Sequence, residues 1–281
     1  MSTRTKICRV LVEMALRRLV SIHRAITRQL PLPLRYWLTL SRFAERLVPG
    51  HDILVPRDIP VQDGYPLYGC LNHSACTLPL SLWTLDAATL RHLTMRLAER
   101  KPTTILEFGS GMSTLVLAAF CQSTTHTAPV PRPHVFSLEQ SEPEVARLAS
   151  ALAVHGLSEY ATVLHAPLVS RTIFQTPVQS YDVARSGLTE ALSGRHPEFL
   201  VVDGPVGPPG TRLETLPSVL PYIDSHVFWL LDDALRPGEL WVLQHWLKCG
   251  NVRAVRLLQI GKGVAEGVYI RGHSTAAQRA V

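Results

Sequence analysis

The chain has 281 residues, of which 46% are hydrophobic and 18% are charged, so it can bury the core of one large domain, with or without an appendage. No uncharged run reaches the roughly 18 residues that a membrane-spanning helix needs. The five cysteines are odd in number and scattered, which is typical of reduced thiols in a cytoplasmic protein and not of a disulfide framework.

The formal net charge of +6 is concentrated at the N-terminus. Residues 1–48 contain ten of the 28 basic residues and two of the 22 acidic residues, so the remainder is close to neutral, which argues against a nucleic-acid channel through the core. Apolar residues at near-helical spacing, interleaved with arginines, predict a basic amphipathic helical arm that ends before Pro31. Residues 1–30 could contact an anionic membrane surface, pack against the body with their arginines solvated, or act as a transit peptide.

Residues 49–81 form a proline-rich connecting segment with few periodic apolar positions. Within it, Cys70, His73 and Cys76 are spaced by three, as zinc ligands can be, but no fourth ligand stands nearby and structural zinc sites usually have four. We therefore do not predict a zinc site. The main domain is predicted at 82–273, with a helix at 82–100 leading into it and a short tail at 274–281.

The stretch TTILEFGSGMSTLVL organises the rest of the chain. Its β-branched and apolar run predicts a buried strand at Thr104–Phe108, the GSG turn ends that strand, and Ser113 or Thr114 is expected to N-cap the next helix. This order of strand, glycine turn and helix N-terminus is how α/β sheets bind nucleotides. Glu107 suits a ligand with an ammonium group and would repel a pyrophosphate, and Thr114 replaces the third glycine of a dinucleotide fingerprint.

Downstream of this stretch, strands and helices alternate. Apolar runs predict strands at His134–Leu138, Ala161–His165, Phe199–Val202, His226–Leu231, Val252–Gln259 and Val264–Arg271. Helices are predicted at Ser141–His155 and Arg236–Leu247, and a further helix is a candidate at Tyr181–Leu192 within a long insertion, 167–197. This alternation indicates an α/β, doubly wound sheet with its site at one edge.

Acidic residues follow several of these strands. Glu139 ends the second strand, 30 residues past Gly109, where an acid can accept hydrogen bonds from both ribose hydroxyls of a nucleoside. Asp203 ends the fourth strand, and Asp232 and Asp233 end the fifth. Converging carboxylates repel one another unless a metal ion or a cationic group lies among them.

The motifs LEFGSGMST, FSLEQ and FLVVDGP resemble those of the class I S-adenosylmethionine-dependent methyltransferases, over roughly residues 82–271. The resemblance implies a mostly parallel, seven-stranded Rossmann-like sheet with its last strand antiparallel, and S-adenosylmethionine as the cofactor. The cofactor-binding residues that it implies are Glu107, Gly109, Ser110, Gly111, Ser113, Glu139 and Asp203. A nicotinamide-dependent oxidoreductase is a weaker alternative, because Thr114 stands where a dinucleotide site needs glycine.

The fourth and fifth strands also resemble those of catechol-type O-methyltransferases, in which an Asp and an Asp-Asn pair hold one Mg²⁺. This resemblance implies Asp203, Asp232 and Asp233 as candidate Mg²⁺ ligands, but Asp233 replaces the Asn and the lysine that the family carries beside the first Asp is absent. In the alternative without a metal, Asp232 caps the following helix and Asp233 pairs with Arg212 or Arg236.

The resulting hypothesis is O-methylation of a small-molecule or sugar acceptor. Asp203 and Asp233 are the candidate catalytic bases, and Arg212, beyond a proline-rich loop, is a candidate substrate-binding residue. The alternative bases are the histidines His165, His226 and His245. A non-catalytic membrane-surface adaptor that retains the fold is the alternative function.

Overall fold

The computed structural model describes residues 52–54, 85–125, 131–173, 175–248 and 251–272. The predicted helical arm at 1–48, the Cys70, His73 and Cys76 cluster and the tail at 274–281 lie outside these residues. None of the helices in the described ranges is long and apolar enough to cross a membrane.

Ten strands and six α-helices make up the described part of the chain. The strands are β1 Asp52–Leu54, β2 Thr104–Phe108, β3 His134–Glu139, β4 Ala161–His165, β5 Leu168–Ile173, β6 Thr176–Tyr181, β7 Phe199–Val202, β8 His226–Asp232, β9 Val252–Leu258 and β10 Val264–Ile270. The helices are α1 Ala87–Arg100, α2 Met112–Thr124, α3 Glu142–Val154, α4 Leu188–Leu192, α5 Thr215–Val219 and α6 Pro237–Lys248.

The main sheet has the strand order β1-β9-β10-β8-β7-β2-β3-β4. Strands β2, β3, β4, β7 and β8 are mutually parallel, whereas β10 is antiparallel to both β8 and β9. This order and the antiparallel last strand confirm the predicted architecture. The sheet has one strand more than predicted, because β1, which lies in the segment predicted to be a connector, pairs in parallel with the edge strand β9.

Apolar side chains of successive strand residues point to opposite faces, which buries both faces of the sheet. Ile105 of β2 packs in one core cluster with Leu93 of α1 and Leu115 of α2, where α3 also contributes. Leu106 packs in the other cluster, with Leu243 of α6. Helices on both sides of a mostly parallel sheet make this a doubly wound, Rossmann-like fold, as predicted.

Two predicted helix starts were wrong. The first helix begins at Ala87, because Asp86 is its N-cap and accepts a hydrogen bond from the Thr89 N–H at 2.9 Å. The helix after the glycine turn begins at Met112 with Gly111 as its N-cap. Thr114, one of the two predicted caps, instead accepts a hydrogen bond from the Gly111 N–H at 3.0 Å, within the first helical turn.

The predicted helix at Tyr181–Leu192 was also wrong. Tyr181 ends β6, which pairs with β5 in a separate antiparallel hairpin, and only Leu188–Leu192 is α-helical. Val178 and Tyr181 from the hairpin pack into the core cluster that contains Phe108. The alternation of buried and exposed residues along β6 is the strand period, and the predicted helix, which began at Tyr181, overlapped this strand at its last residue.

Candidate cofactor and catalytic site

The glycine turn after β2 is packed against the backbone that follows β7. Gly109 has φ +92°, and a Cβ at this position would lie 2.6 Å from the Gly204 nitrogen, so only glycine allows the two backbones to approach this closely. The N–H groups of Asp203 and Gly204 donate to the Phe108 carbonyl oxygen at 2.9 and 2.6 Å, which fixes the contact. A Cβ on Gly111, by contrast, would meet nothing within 4 Å, so the turn faces open space there.

Glu107 lies beneath this turn and is fully buried. One carboxylate oxygen accepts hydrogen bonds from the hydroxyls of Thr114 at 2.5 Å and Ser137 at 2.7 Å, while the other has no hydrogen-bond partner among the described residues. Burial raises the pKa of Glu107 to about 7, although the nearby hydroxyls of Ser113, Ser137 and Thr114 act in the opposite direction. A buried carboxylate with an unpaired oxygen can receive a cationic group of a ligand.

Glu139 lies on the other side of the turn and is 8% exposed. Its Oε2 accepts hydrogen bonds from both the backbone N–H and the hydroxyl of Ser110, at 3.2 and 2.9 Å, and its Oε1 accepts one from the Ser141 N–H at 2.9 Å. Neither partner was predicted from the sequence. His134 and Arg147, two side chains that could have been structural partners of this acid, contact Thr162 and Glu144.

The three predicted aspartates converge at the carboxyl ends of β7 and β8. Carboxylate oxygens of Asp203, Asp232 and Asp233 lie within 4.8 Å of one another. The side chain of Asp203 is 15% exposed, whereas Asp232 and Asp233 are 0% and 2% exposed. Burial raises the pKa of Asp232 well above its ordinary value, and the neighbouring acids add to the effect. Asp203 is therefore the member of the cluster that can meet a ligand.

Three basic side chains contact these acids. Arg212 donates to Oδ1 of Asp203 at 3.2 Å and Oδ2 of Asp233 at 3.3 Å, and also to backbone oxygens. Arg236 lies 2.6 Å from Asp233 Oδ2, so Asp233 pairs with both of the arginines that the alternative without a metal had offered as its partner. Each of these arginines therefore compensates a buried carboxylate.

Lys262, from the turn between β9 and β10, is the third cation and was missed by the sequence analysis. Its Nζ lies 3.7 Å from Asp232 Oδ2 and 3.4 Å from Asp233 Oδ1. Burial lowers the pKa of Lys262, but the two aspartates outweigh burial and hold the pKa above its ordinary value. The sequence could have indicated this contact. If β10 is antiparallel to β8, the turn that precedes β10 must lie beside the carboxyl end of β8, where Asp232 is.

The cluster fits a divalent metal ion poorly. Oxygen donors suited to Mg²⁺ are present, but Arg212, Arg236 and Lys262 already supply three positive charges to three carboxylates. Arg212 is also 6% exposed, and its four described contacts are with oxygens of the aspartates, which favours a role in holding them over the predicted contact with substrate.

Tyr181 is a further site residue that the sequence analysis missed, having placed it in a helix. Its ring is 2% exposed and packs against Phe108 with centroids 5.6 Å apart. Its hydroxyl lies against Gly204, close enough to exclude a side chain there. Burial raises the pKa of Tyr181 well above its ordinary value, and Glu139 adds to this effect, so the phenol stays protonated between the two acidic parts of the site.

The histidine alternatives lie apart from the aspartate cluster in the contacts described. His165 Nε2 lies 3.3 Å from the Gln140 carbonyl oxygen, and His245 Nδ1 lies 2.8 Å from the Trp241 carbonyl oxygen within α6. His226 begins β8, at the opposite edge of the sheet from Asp232. A cleft of about 810 Å³ also lies at that opposite edge, lined by residues that include Arg100, Arg195 and His226, of which His226 had been considered as an alternative base.

Known structures share the fold. An O-methyltransferase from Bacillus cereus in complex with SAH has a TM-score of 0.51 and 14% identity, with 76% of this chain and 94% of that chain covered. The SAH-bound methyltransferase PaMTH1 from Podospora anserina has a TM-score of 0.50 and 14% identity, with 86% and 98% covered. By sequence, no protein-family model and no curated protein matches this chain. The fold is that of the class I S-adenosylmethionine-dependent methyltransferases.

Proposed function

We propose that the protein is an S-adenosylmethionine-dependent methyltransferase that methylates an oxygen of a small molecule or sugar. The observation that carries the proposal is the glycine turn held between two acids, Glu107 and Glu139, at the carboxyl edge of a sheet of this class. Nucleotides bind at this edge in doubly wound folds. The name of the Bacillus cereus neighbour, an O-methyltransferase, supports oxygen as the accepting atom.

The chain offers complementary partners for the two ends of this cofactor. The unpaired Glu107 oxygen suits the ammonium of the methionine end, with Ser113 and Thr114 orienting the carboxylate. In this proposal Glu139 accepts the ribose hydroxyls, and since it already receives three hydrogen bonds from the chain, its position is fixed before the ligand arrives. When bound, S-adenosylmethionine supplies a sulfonium methyl group and leaves as the thioether.

Asp203 is the best candidate for the catalytic base. It follows β7 beside the glycine turn, and its side chain is more exposed than those of Asp232 and Asp233. Burial raises the pKa of Asp203, although Arg212 opposes this, and a raised pKa makes a carboxylate a better proton acceptor. Asp233, the other candidate, is held by ion pairs to two arginines and is less able to reach an acceptor hydroxyl.

Titration calorimetry with S-adenosylmethionine and S-adenosylhomocysteine tests the proposal. Saturable binding by the full chain is expected for both ligands, and NADH serves as the negative control for a dinucleotide site. Absence of binding by folded protein at millimolar ligand would overturn the cofactor assignment and leave the adaptor alternative. A screen of small-molecule fractions with methyl-labelled cofactor then identifies the acceptor class.

A further inference from the structure

We propose that Lys262 takes the place of a divalent metal ion in the cluster of Asp203, Asp232 and Asp233, so that the site operates with fixed side-chain cations. As a statement about methyl transfer, this inference rests on the proposed function. The substitution of a side-chain ammonium for a metal ion is a property of the cluster itself and can be tested separately.

The charge of the cluster is balanced by groups of the chain. Three carboxylates face three cationic side chains, and the ion-pair distances among the six groups run from 2.6 Å for Asp233 with Arg236 to 3.7 Å for Asp232 with Lys262. A bound divalent ion would add two positive charges to carboxylates that are already paired with cationic side chains, and Glu239, whose charge also acts on Arg212, would offset at most one of them, so binding of the ion is unfavourable. The cluster therefore does not need a metal to be electrostatically neutral.

Lys262 bridges the two acids that would be the adjacent metal ligands. Its Nζ lies 3.7 Å from Asp232 Oδ2 and 3.4 Å from Asp233 Oδ1. Neither oxygen of Asp232 has a hydrogen-bond partner in the described chain, although Asp232 is fully buried, so Lys262 is the group that compensates its side chain. A metal bound to these oxygens at about 2.0–2.6 Å would lie against the ammonium group and be repelled by it.

The sheet fixes the position of Lys262. Strand β10 pairs with β8 so that Val264 lies opposite Asp232, which brings the preceding turn alongside the cluster. The Ala234 N–H, just after the two aspartates, donates to the Gly263 carbonyl oxygen at 2.9 Å, and the Gly263 N–H donates to the Ile260 carbonyl oxygen at 2.7 Å. Because these backbone hydrogen bonds fix the turn on both sides, the hairpin itself holds Lys262 beside the two aspartates.

Binding of Mn²⁺ alone, measured by titration calorimetry in a buffer without chelators, tests the inference. The wild-type protein is expected to show no saturable Mn²⁺ site. Lys262→Met should bind one equivalent of Mn²⁺, at least about tenfold more tightly than any residual binding by wild type, because this variant lacks one positive charge and keeps all three carboxylates. The matched control is Lys248→Met, which alters an exposed lysine at the end of α6 and should gain no site.

A second measurement covers the case in which Lys262→Met folds poorly. Lys262→Gln keeps a hydrogen-bonding side chain, and Mn²⁺ should raise the Tm of this variant but not that of wild type, because a ligand that binds only the folded state stabilises it. Saturable Mn²⁺ binding by wild type that is lost in Asp232→Asn would overturn the inference, and so would the failure of both Lys262 variants to gain binding. If the wild-type protein does not bind S-adenosylmethionine, the proposed function is refuted, but the Mn²⁺ measurements still decide whether Lys262 replaces a metal ion.

Discussion

Ser110 donates both its backbone N–H and its hydroxyl to the same carboxylate oxygen of Glu139, at 3.2 and 2.9 Å. This pair joins the glycine turn after β2 to the end of β3, so the two predicted cofactor-binding segments form one unit. Hydrogen bonds to a charged acceptor are stronger than those between neutral groups. The turn is thereby ordered before any ligand binds.

Glu139→Ala should weaken the binding of S-adenosylhomocysteine by roughly tenfold to a few hundredfold, because each charge-assisted hydrogen bond contributes about 1.5–3 kcal/mol. Glu139→Gln keeps one carbonyl acceptor and should lose less. Calorimetry measures the affinities, and Glu142→Ala, an exposed acid three residues away, is the control. If Glu139→Ala is less stable but binds S-adenosylhomocysteine with unchanged affinity, Glu139 has a structural role through Ser110 and does not bind the cofactor.

Alanine at Gly109 should lower the stability of the protein far more than alanine at Gly111. Gly109→Ala places a Cβ 2.6 Å from the Gly204 nitrogen at φ +92°, so we expect the free energy of unfolding to fall by roughly 3 kcal/mol or more. Gly111→Ala meets no atom within 4 Å and should cost about 1 kcal/mol or less. Urea unfolding compares the two variants.

Gly111→Ala should nonetheless bind S-adenosylhomocysteine about tenfold or more weakly, because the new methyl group enters the space that a ligand would fill at the turn. Calorimetry on this folded variant separates the steric effect on the ligand from any effect on the fold. Wild-type affinity in Gly111→Ala would place the cofactor away from this residue.

The buried Glu107 should make both stability and cofactor binding depend on pH. Its pKa is raised in the folded state to about 7, so the folded protein holds a proton that the unfolded chain has lost, and stability should fall as pH rises from about 4.5 to 7, by on the order of 3 kcal/mol. Above that range its contribution should be constant. Unfolding by urea across this range should show the trend in wild type and lose it in Glu107→Gln.

Cofactor affinity should change with pH in the opposite direction from stability. The carboxylate form of Glu107 attracts an ammonium group, so the affinity for S-adenosylmethionine should rise as pH approaches 7 and then level off, in wild type but not in Glu107→Gln. An identical pH profile in the two proteins would rule out Glu107 as the partner of the ammonium group.

Arg212→Met should destabilise the protein by about 3–5 kcal/mol, because it removes the cationic partner of Asp203 and leaves Asp233 with the more exposed Arg236 and Lys262. Arg185→Met is the matched control: its ion pair with Asp182 is 3.6 Å long and its side chain is 84% exposed, so the loss should be about 1 kcal/mol or less. Thermal and urea unfolding provide the comparison. Wild-type stability of Arg212→Met together with a raised KM for the acceptor would restore the predicted substrate-binding role.

The sequence by itself determined the frame of the cofactor site. The bounds of β2 agree with prediction, Glu139 ends β3, and the aspartates follow β7 and β8, because short apolar runs closed by glycine or an acid are local signals that the sheet does not override. The strand order was implied by the resemblance of the motifs to a known family. It is consistent with the observed sheet, which has helices on both faces. The predicted N-cap of the helix after the turn was wrong, because Gly111 occupies the N-cap position that was assigned to Ser113 or Thr114.

Only the tertiary structure decided which charges meet. Lys262 is about thirty residues from Asp232 in sequence, and it reaches the aspartates because β10 folds back against β8 with Val264 opposite Asp232. Tyr181 reaches Gly204 from the end of a hairpin, although the sequence had placed Tyr181 at the start of a helix. Both contacts depend on strand register, which is set by pairing across the whole sheet, and no single segment of the chain carries that information.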